Sequence, residues 1–192
     1  MDVSIITPTF DRPKLLWLCC RQVREQITSL KWEHIVISDG PDIRAQRIAE
    51  RHGAKYLQVP RRENSFGAFA RDAGLDAAQG RYVCFWDDDD WYAGNALQTL
   101  YDAAQGFDVG VCQMLHGDPP GSVVPQRWRG TFEHGDVGAP CCCIKTEVAK
   151  RAKWGHEDEQ KPGTDFRYFA RLQATRITTR FVPKVVAEHV FV

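Results

Sequence analysis

Long apolar runs are missing from this sequence of 192 residues. No stretch reaches the roughly 18 apolar residues that a membrane-spanning helix needs. Met1 leads into a short strand-like segment, and the charged and apolar regions of a signal peptide do not follow it. The sequence therefore predicts a cytoplasmic protein with no integral membrane segment.

An excess of charge of either sign is also missing. Lys and Arg together number 25, and so do Asp and Glu, while basic residues cluster only in short pairs such as Arg61-Arg62. General binding of nucleic acid is therefore not predicted, because it needs a broad basic surface.

Spaced cysteine pairs are lacking as well. The seven cysteines include the adjacent runs Cys19-Cys20 and Cys141-Cys142-Cys143, without the C-x-x-C spacing of zinc sites. We expect reduced, buried thiols that act as small packing residues.

What the sequence does contain is an alternation of strands and helices. The composition, 43% hydrophobic and 26% charged, fits one soluble domain spanning 1–192. Strand-like runs are "DVSIITPTF", "HIVISDG", "KYLQVP" and "RYVCFW", and helical spacing of apolar residues predicts helices over about 12–28, 42–52 and 66–78. This order predicts an α/β fold with a mostly parallel sheet, which binds ligands at the carboxyl ends of its strands.

Polar residues follow three of these strands. They are Thr7-Pro8-Thr9 after the first strand, Ser38-Asp39-Gly40 after the second and Asp87 to Asp90 after the fourth. Asp-Gly is also typical of turns, so for Asp39 a turn and a functional role both remain open.

The segment "FWDDDDWY" places four carboxylates in a row. Two like charges about 4 Å apart repel by roughly 1 kcal/mol even in water, so a divalent cation is a plausible partner. If the strand conformation continues, Asp87 and Asp89 point to one side and can share the cation, while Asp88 faces another partner. Oxygen ligands favour Mg²⁺ or Mn²⁺, together with a phosphate-bearing ligand. A solvated acidic turn is the alternative.

Several segments together resemble the inverting family 2 glycosyltransferases of the GT-A fold. They are "VSIITPTFDRPKLL", "IVISDGPD", "FARDAGLDAAQGRYVCFWDDDDWY" and "GTDFRYFARL", and they span Val3 to about Leu172. The resemblance implies a nucleotide-binding, Rossmann-like half at about 1–92 and an acceptor half at about 93–192. The chain departs from the family's Ala-Arg-Asn element at Asp72.

The resemblance also implies roles for individual residues. Thr9 and Asp39 would hold the nucleotide base, with Thr7 and Pro8 in the same donor-binding loop. Arg71 would contact the nucleotide, Asp88 the ribose or sugar, and Asp89 would be the principal metal ligand with Asp87 beside it.

Transfer of a sugar to a hydroxyl also needs a base, and Asp165 is the candidate. It opens a predicted helix after the Pro162-Gly163 loop, where the family's base lies in a matching element. The alternative is that Asp165 only complements the helix dipole. Glu157 and Asp158 are reserve candidates.

The sequence leaves two alternative roles for each of two further residues, His189 and Trp128. His189 follows an apolar run near the C-terminus, and some GT-A enzymes complete their metal shell with a late histidine, although a packed histidine is the commoner case. Trp128, in the Gly- and Pro-rich region 115–137, could stack on a sugar or anchor the loop.

The function expected from these features is transfer of a sugar from a nucleotide-sugar, with a UDP-sugar favoured, to a hydroxyl acceptor, with Mn²⁺ or Mg²⁺ as cofactor. A homo-oligomer could supply a missing acceptor lid. The alternatives are a catalytically silent nucleotide-sugar-binding module and a nucleotidyltransferase of similar fold. The nucleotidyltransferase should show a glycine-rich phosphate loop, and no glycine follows the first strand in "IITPTFDRPKLL".

Overall fold

A computed structural model describes residues 1–61, 65–116, 121–155 and 164–189. The strands are β1 (Val3–Thr9), β2 (Trp32–Asp39), β3 (Lys55–Val59), β4 (Tyr82–Phe85), β5 (Asp90–Tyr92), β6 (Val109–His116), β7 (Ser122–Val124), β8 (Cys142–Lys145) and β9 (Thr179–His189). The helices are α1 (Pro13–Arg24), α2 (Ile43–Arg51), α3 (Ala68–Ala77), α4 (Ala96–Ala104), α5 (Thr146–Ala149) and α6 (Thr164–Ala174), with a 3₁₀ turn at Ala139–Cys141.

One sheet joins the strands in the order β3-β2-β1-β4-β8-β6-β9-β5, and β7 pairs with β6. Strands β3, β2, β1 and β4 are mutually parallel, as are β6 and β9, whereas β8 and β5 run antiparallel to their neighbours. The carboxyl ends of β1, β2 and β4 therefore meet at one edge of the sheet. The predicted mostly parallel sheet is confirmed.

Local sequence explains where the first helices begin. Pro13 occupies the first turn of α1, where a missing N–H costs nothing. Asp42 caps α2, because its carboxylate accepts hydrogen bonds from the backbone N–H groups of Arg44 and Ala45.

Helix α3 lies very close to the sheet. A Cβ atom at Gly74 would come within 2.5 Å of Ile6 and 2.6 Å of Ile37, so only glycine fits between this helix and the strands β1 and β2. The N-terminal end of α3 therefore lies at the edge of the sheet where β1 and β2 end.

The core confirms the expectation for the cysteines. All seven are buried and free of disulfides. Cys143 lies opposite Cys84 in the antiparallel pair of β8 and β4, among the apolar side chains of the main core.

The region 115–137 has more structure than the sequence suggested. Its described residues include the end of β6 and the short strand β7. Trp128 is half-buried against the core and lies edge-on to Phe132, with ring centroids 5.0 Å apart, so it anchors this loop. Within the described ranges, no helix is long and apolar enough to cross a membrane.

Candidate active site

A cleft of about 400 Å³ opens at the edge where β1, β2 and β4 end. Its lining combines acidic, basic and aromatic side chains: Pro8, Thr9, Phe10, Arg12, Asp39, Arg61, Ser65, Phe66, Gly67, Ala70, Arg71, Asp87, Asp88 and Asp89. The position matches the general rule for ligand sites in parallel α/β sheets.

The aspartate run bends as it enters the cleft. Strand β4 ends at Phe85, a turn contains Asp88 and Asp89, and β5 begins at Asp90. The expected alternation along an extended strand is therefore wrong. The turn brings Asp87, Asp88 and Asp89 to the same cleft and directs only Asp90 elsewhere.

Asp87 is paired with Arg71, which α3 supplies. The guanidinium donates to Asp87 through Nη2 and to the carbonyl of Phe66 through Nη1, at 2.8 Å, and its buried Nε has no partner among the described residues. Burial lowers the pKa of Arg71, but the negative charges of Asp87 and Asp165 raise it. Burial also raises the pKa of Asp87, against the effect of Arg71.

Asp88 connects β1 to the aspartate run. Its carboxylate accepts a hydrogen bond of 2.6 Å from Thr9 Oγ1 and lies 3.4 Å from Arg12 Nη1, which also donates to Asp89. Burial raises the pKa of Asp88 to about 6, although Thr9 and Arg12 favour its charged form.

Opposite the aspartate run, the cleft is lined by Asp39, the residue predicted to bind the nucleotide base, and by its neighbours. Asp39 Oδ2 accepts a hydrogen bond from Ser65 Oγ at 3.0 Å. The Arg61 guanidinium lies 4.3 Å from the centre of the Phe10 ring, which is 43% exposed. Phe66, 51% exposed, completes an aromatic rim.

Gly67 lines the cleft between Pro8 and Arg71. It adopts φ +74° at the start of α3, and a Cβ there would lie 3.1 Å from both Pro8 and Arg71. A side chain at this position would narrow the cleft and disturb Arg71.

The structure does not bring Thr7 to the cleft. Its hydroxyl is fully buried, 2.9 Å from His34 Nε2 and 3.8 Å from Cys19 Sγ. Pro8 and Thr9, at the carboxyl end of β1, line the cleft, whereas Thr7 lies further back in the strand, against α1 and β2. Thr7 therefore lies outside the cleft lining, and its role in donor binding stays a prediction.

His189 and Asp90 form a pair beside the cleft. They are directly opposed across β9 and β5, with His189 Nδ1 2.7 Å from Asp90 Oδ1. Burial raises the pKa of Asp90 to about 7, against the effect of His189, and the hydrogen bond to Asp90 raises the pKa of His189. His189 thus contacts the last aspartate of the run, and neither residue lines the cleft.

Asp165 lies in the first turn of α6, as the sequence predicted, and is half-buried. Its Oδ2 accepts a hydrogen bond of 2.8 Å from the backbone N–H of Ala139, which fixes the carboxylate. It does not line the cleft, but its charge contributes to the raised pKa values of Arg71 and Asp87. The reserve candidates Glu157 and Asp158 lie outside the described residues.

Several cleft residues were not identified from the sequence. These are Phe10, Arg12, Arg61, Ser65, Phe66 and Gly67. Phe10 and Arg12 directly follow the polar end of β1, which was the available signal, whereas Arg61 and Ser65 belong to a connection with no recognisable pattern.

The cleft offers oxygen ligands for a cation but no complete protein cage. In the ranges that the structure describes, no three His, Cys, Asp or Glu side chains are grouped to hold a metal ion. Mg²⁺ sites commonly need only one or two carboxylates, with phosphate and water filling the remaining positions.

A family model supplies the decisive comparison. Residues 4–172 match the model described as "Glycosyl transferase family 2". The chain belongs to this family. The resemblance inferred from the sequence is thereby confirmed.

Curated relatives of family 2 agree. Glycosyltransferase EpsJ of Bacillus subtilis, described as uncharacterized, is 30% identical over 159 residues, which are 81% of this chain and 44% of that protein. The cholesterol galactosyltransferase of Borreliella burgdorferi is 33% identical over 105 residues, 54% of this chain and 29% of that protein. The matches thus cover less than half the length of these relatives.

Solved structures confirm the GT-A fold. S. aureus TarS superposes with a TM-score of 0.79 at 18% identity, covering 100% of this chain and 37% of TarS. A TarS fragment in complex with UDP-GlcNAc gives a TM-score of 0.79 at 17% identity, covering 98% of this chain and 58% of the fragment.

Proposed function

We propose that this family 2 domain transfers a sugar from a nucleotide-sugar, with a UDP-sugar favoured, to a hydroxyl acceptor with inversion at the anomeric carbon. The observation that carries the proposal is the convergence of Thr9, Asp39, Arg71 and the turn Asp87–Asp89 on one cleft. The TarS fragment that shares this fold was solved with UDP-GlcNAc, which supports the choice of nucleotide.

In this proposal the two sides of the cleft have different tasks. Asp39 and Thr9 face the nucleoside, with Asp39 accepting from the base N–H. Arg71, already held by Asp87 and the Phe66 carbonyl, provides a fixed positive charge on the phosphate side. A guanidinium in a low-dielectric site stabilises negative charge that develops on a leaving diphosphate.

The residues present fit a hard divalent cation. Asp87, Asp88 and Asp89 present carboxylate oxygens to the cleft, and burial raises the pKa of Asp87 and Asp88 against the effect of the neighbouring arginines. Asp89 and Asp87 would hold Mn²⁺ or Mg²⁺ through oxygen, and His189 is the further candidate ligand. When bound, the cation would neutralise charge on the diphosphate.

Asp165 would act as the base. The acceptor oxygen attacks the anomeric carbon on the face opposite the diphosphate, the bond from that carbon to the diphosphate breaks, and the acceptor proton passes to the Asp165 carboxylate. The backbone N–H of Ala139 holds that carboxylate in one orientation.

Calorimetric titration tests the donor site. UDP, GDP, dTDP and CDP are titrated into the protein with Mn²⁺ and with a chelator, in parallel with Asp89→Ala. We expect Mn²⁺-dependent binding of UDP that is lost in Asp89→Ala. Absence of binding by every nucleotide would overturn the donor site, and a product with retained anomeric configuration would overturn the single displacement.

A further inference from the structure

Helix α3 makes one polar contact in the cleft, through Arg71, and a second one outside the cleft, through Asp72. Asp72 follows Arg71 and is 9% exposed, and its two carboxylate oxygens accept separate backbone hydrogen bonds. Oδ1 accepts from the N–H of Trp154 at 2.9 Å, and Oδ2 accepts from the N–H of Gly155 at 3.0 Å. Asp72 thus binds a segment 82 positions later in the chain.

The same segment, Lys153–Gly155, is also held by α6. Arg171 donates to the carbonyl of Lys153 through Nε at 3.0 Å and Nη2 at 2.7 Å, and to the carbonyl of Trp154 at 3.3 Å. We call Lys153–Gly155 the bridging segment, because α3 binds its N–H groups and α6 binds its carbonyls.

The Trp154 side chain extends this connection through the core. Its ring is parallel to that of Tyr168 in α6, with centroids 4.0 Å apart. On the donor side, the guanidinium of Arg71 lies 4.9 Å from the same ring. The indole therefore lies between the arginine that holds Asp87 and the helix whose first turn contains Asp165.

Packing leaves the bridging segment little freedom at Gly155. A Cβ atom there would lie 2.8 Å from the ring of Phe69 in α3. The backbone therefore approaches α3 closely enough for both hydrogen bonds to Asp72.

The carboxylate is the side chain that suits this arrangement. Each of its oxygens meets an N–H donor, whereas an asparagine would present an NH₂ group to one of them, leaving two donors in contact. The two backbone donors therefore favour aspartate over asparagine at position 72.

We propose that Asp72 is a positioning residue that sets the location of Asp165 through the bridging segment and α6. The proposal rests on the proposed function for the role of Asp165. It makes α3 a common support for both halves of the site, with Arg71 fixing the donor side and Asp72 fixing the helix that carries the base.

Hydrogen exchange by mass spectrometry tests the connection without relying on turnover. In Asp72→Asn we expect faster exchange in peptides covering the bridging segment and in peptides covering 164–168. Asp108→Asn is the matched control, because Asp108 also accepts a backbone N–H, from Thr178 at 2.9 Å, but its partners Thr178 and Lys145 lie outside the bridging segment and α6. Faster exchange confined to the bridging segment would overturn the proposal, since α6 would then be independent of Asp72.

Kinetics give the second measurement, with release of UDP from UDP-GlcNAc in the presence of Mn²⁺ and water as the acceptor. We expect Asp72→Asn to lower kcat by roughly 10- to 100-fold, as about 1 Å of misplacement can do, with the KM for the donor unchanged. Asp108→Asn should leave kcat unchanged. A rise in KM with constant kcat would contradict a role through Asp165.

If Asp72→Asn does not fold, Arg171→Gln replaces it in both measurements. It removes the contacts of α6 to the same segment and should give the same exchange pattern and the same loss of kcat. If the wild-type protein binds none of the four nucleotides in the calorimetric titration, the proposed function fails, while the exchange experiment still decides whether Asp72 controls α6.

Discussion

At the scale of single residues, the four consecutive aspartates are tolerated because each has a polar partner, with Arg12 shared between two of them. The pairs are Asp87 with Arg71, Asp88 with Thr9 and Arg12, Asp89 with Arg12, and Asp90 with His189. Arginine already compensates part of the repulsion that the sequence assigned to a metal. A bound cation would therefore share Asp89 with Arg12 or displace its guanidinium.

Asp88 gives the protein a specific pH dependence in the absence of metal. Burial raises its pKa in the folded state from 3.8 to about 6, so the folded state holds this proton more tightly than the unfolded state does. The resulting stability is present below the ordinary value and is lost as the pH rises through about 6. Asp88→Asn does not undergo this loss.

Urea unfolding in a chelating buffer from pH 4 to pH 7.5 measures the effect. The free energy of unfolding of Asp88→Asn should rise relative to wild type by on the order of 2–3 kcal/mol across this range, at about 1.4 kcal/mol per pKa unit. Parallel profiles for the two proteins would contradict the raised pKa.

Asp165→Asn separates binding from transfer. The amide keeps an oxygen that can accept from the Ala139 N–H, so the fold and the cleft should be preserved, but it cannot accept a proton. We expect UDP affinity within about twofold of wild type and a loss of transfer of roughly 100-fold or more, as removal of a general base produces. An equal loss of UDP affinity would show that Asp165 is structural.

At the scale of elements, helix α1 holds the strand that follows the aspartate run. Gln22 accepts from the N–H of Tyr92 at 2.8 Å and donates to the carbonyl of Asp90 at 3.4 Å, while Gln26 donates to the carbonyl of Ala93 at 2.9 Å. These amides satisfy backbone groups of β5 and of the residue that follows it. In the part of the chain described, β5 pairs with a strand only through β9.

Gln22→Met tests this support, because methionine has a similar length but no amide. It leaves the N–H of Tyr92 without its partner, and we expect a loss of about 1–3 kcal/mol in the free energy of unfolding by urea, with weaker UDP binding. Gln46→Met on α2 is the control, since its amide contacts only exposed Glu50. Equal effects of the two substitutions would rule out a special role for Gln22.

The sequence predicted the helices and strands better than it predicted which side chains contact one another in the cleft. The periodicity of apolar residues defined α1, α2, α3 and the four parallel strands within a few residues. It could not predict that Arg12 contacts Asp89, because the two are 77 positions apart and meet only when β1 and β4 become neighbours. The turn at Asp88 could not be predicted either, because four identical residues show no change in residue type that would mark where the strand ends.

At the scale of the whole molecule, the cleft is built from three parallel strands and α3, so occupancy should stabilise the entire domain. UDP with Mn²⁺ at about 100 times its Kd should add roughly 2.7 kcal/mol. For a domain of this size that corresponds to a rise in Tm of roughly 5–10 °C.

Differential scanning fluorimetry checks this expectation. Addition of a chelator should return the Tm to that of the protein alone, and Asp89→Ala should show no rise with UDP and Mn²⁺. A rise of the same size with the chelator present would indicate that nucleotide binding does not need the metal.

Gln22 of α1 also bears on association between molecules. An uncovered outer strand exposes N–H and C=O groups that can pair with a strand from another chain and start aggregation. Gln22 occupies two of those groups on β5, the carbonyl of Asp90 and the N–H of Tyr92, with a side chain, which cannot propagate a sheet. The same contacts that hold the strand after the aspartate run therefore leave these two backbone groups unavailable to a strand of another molecule.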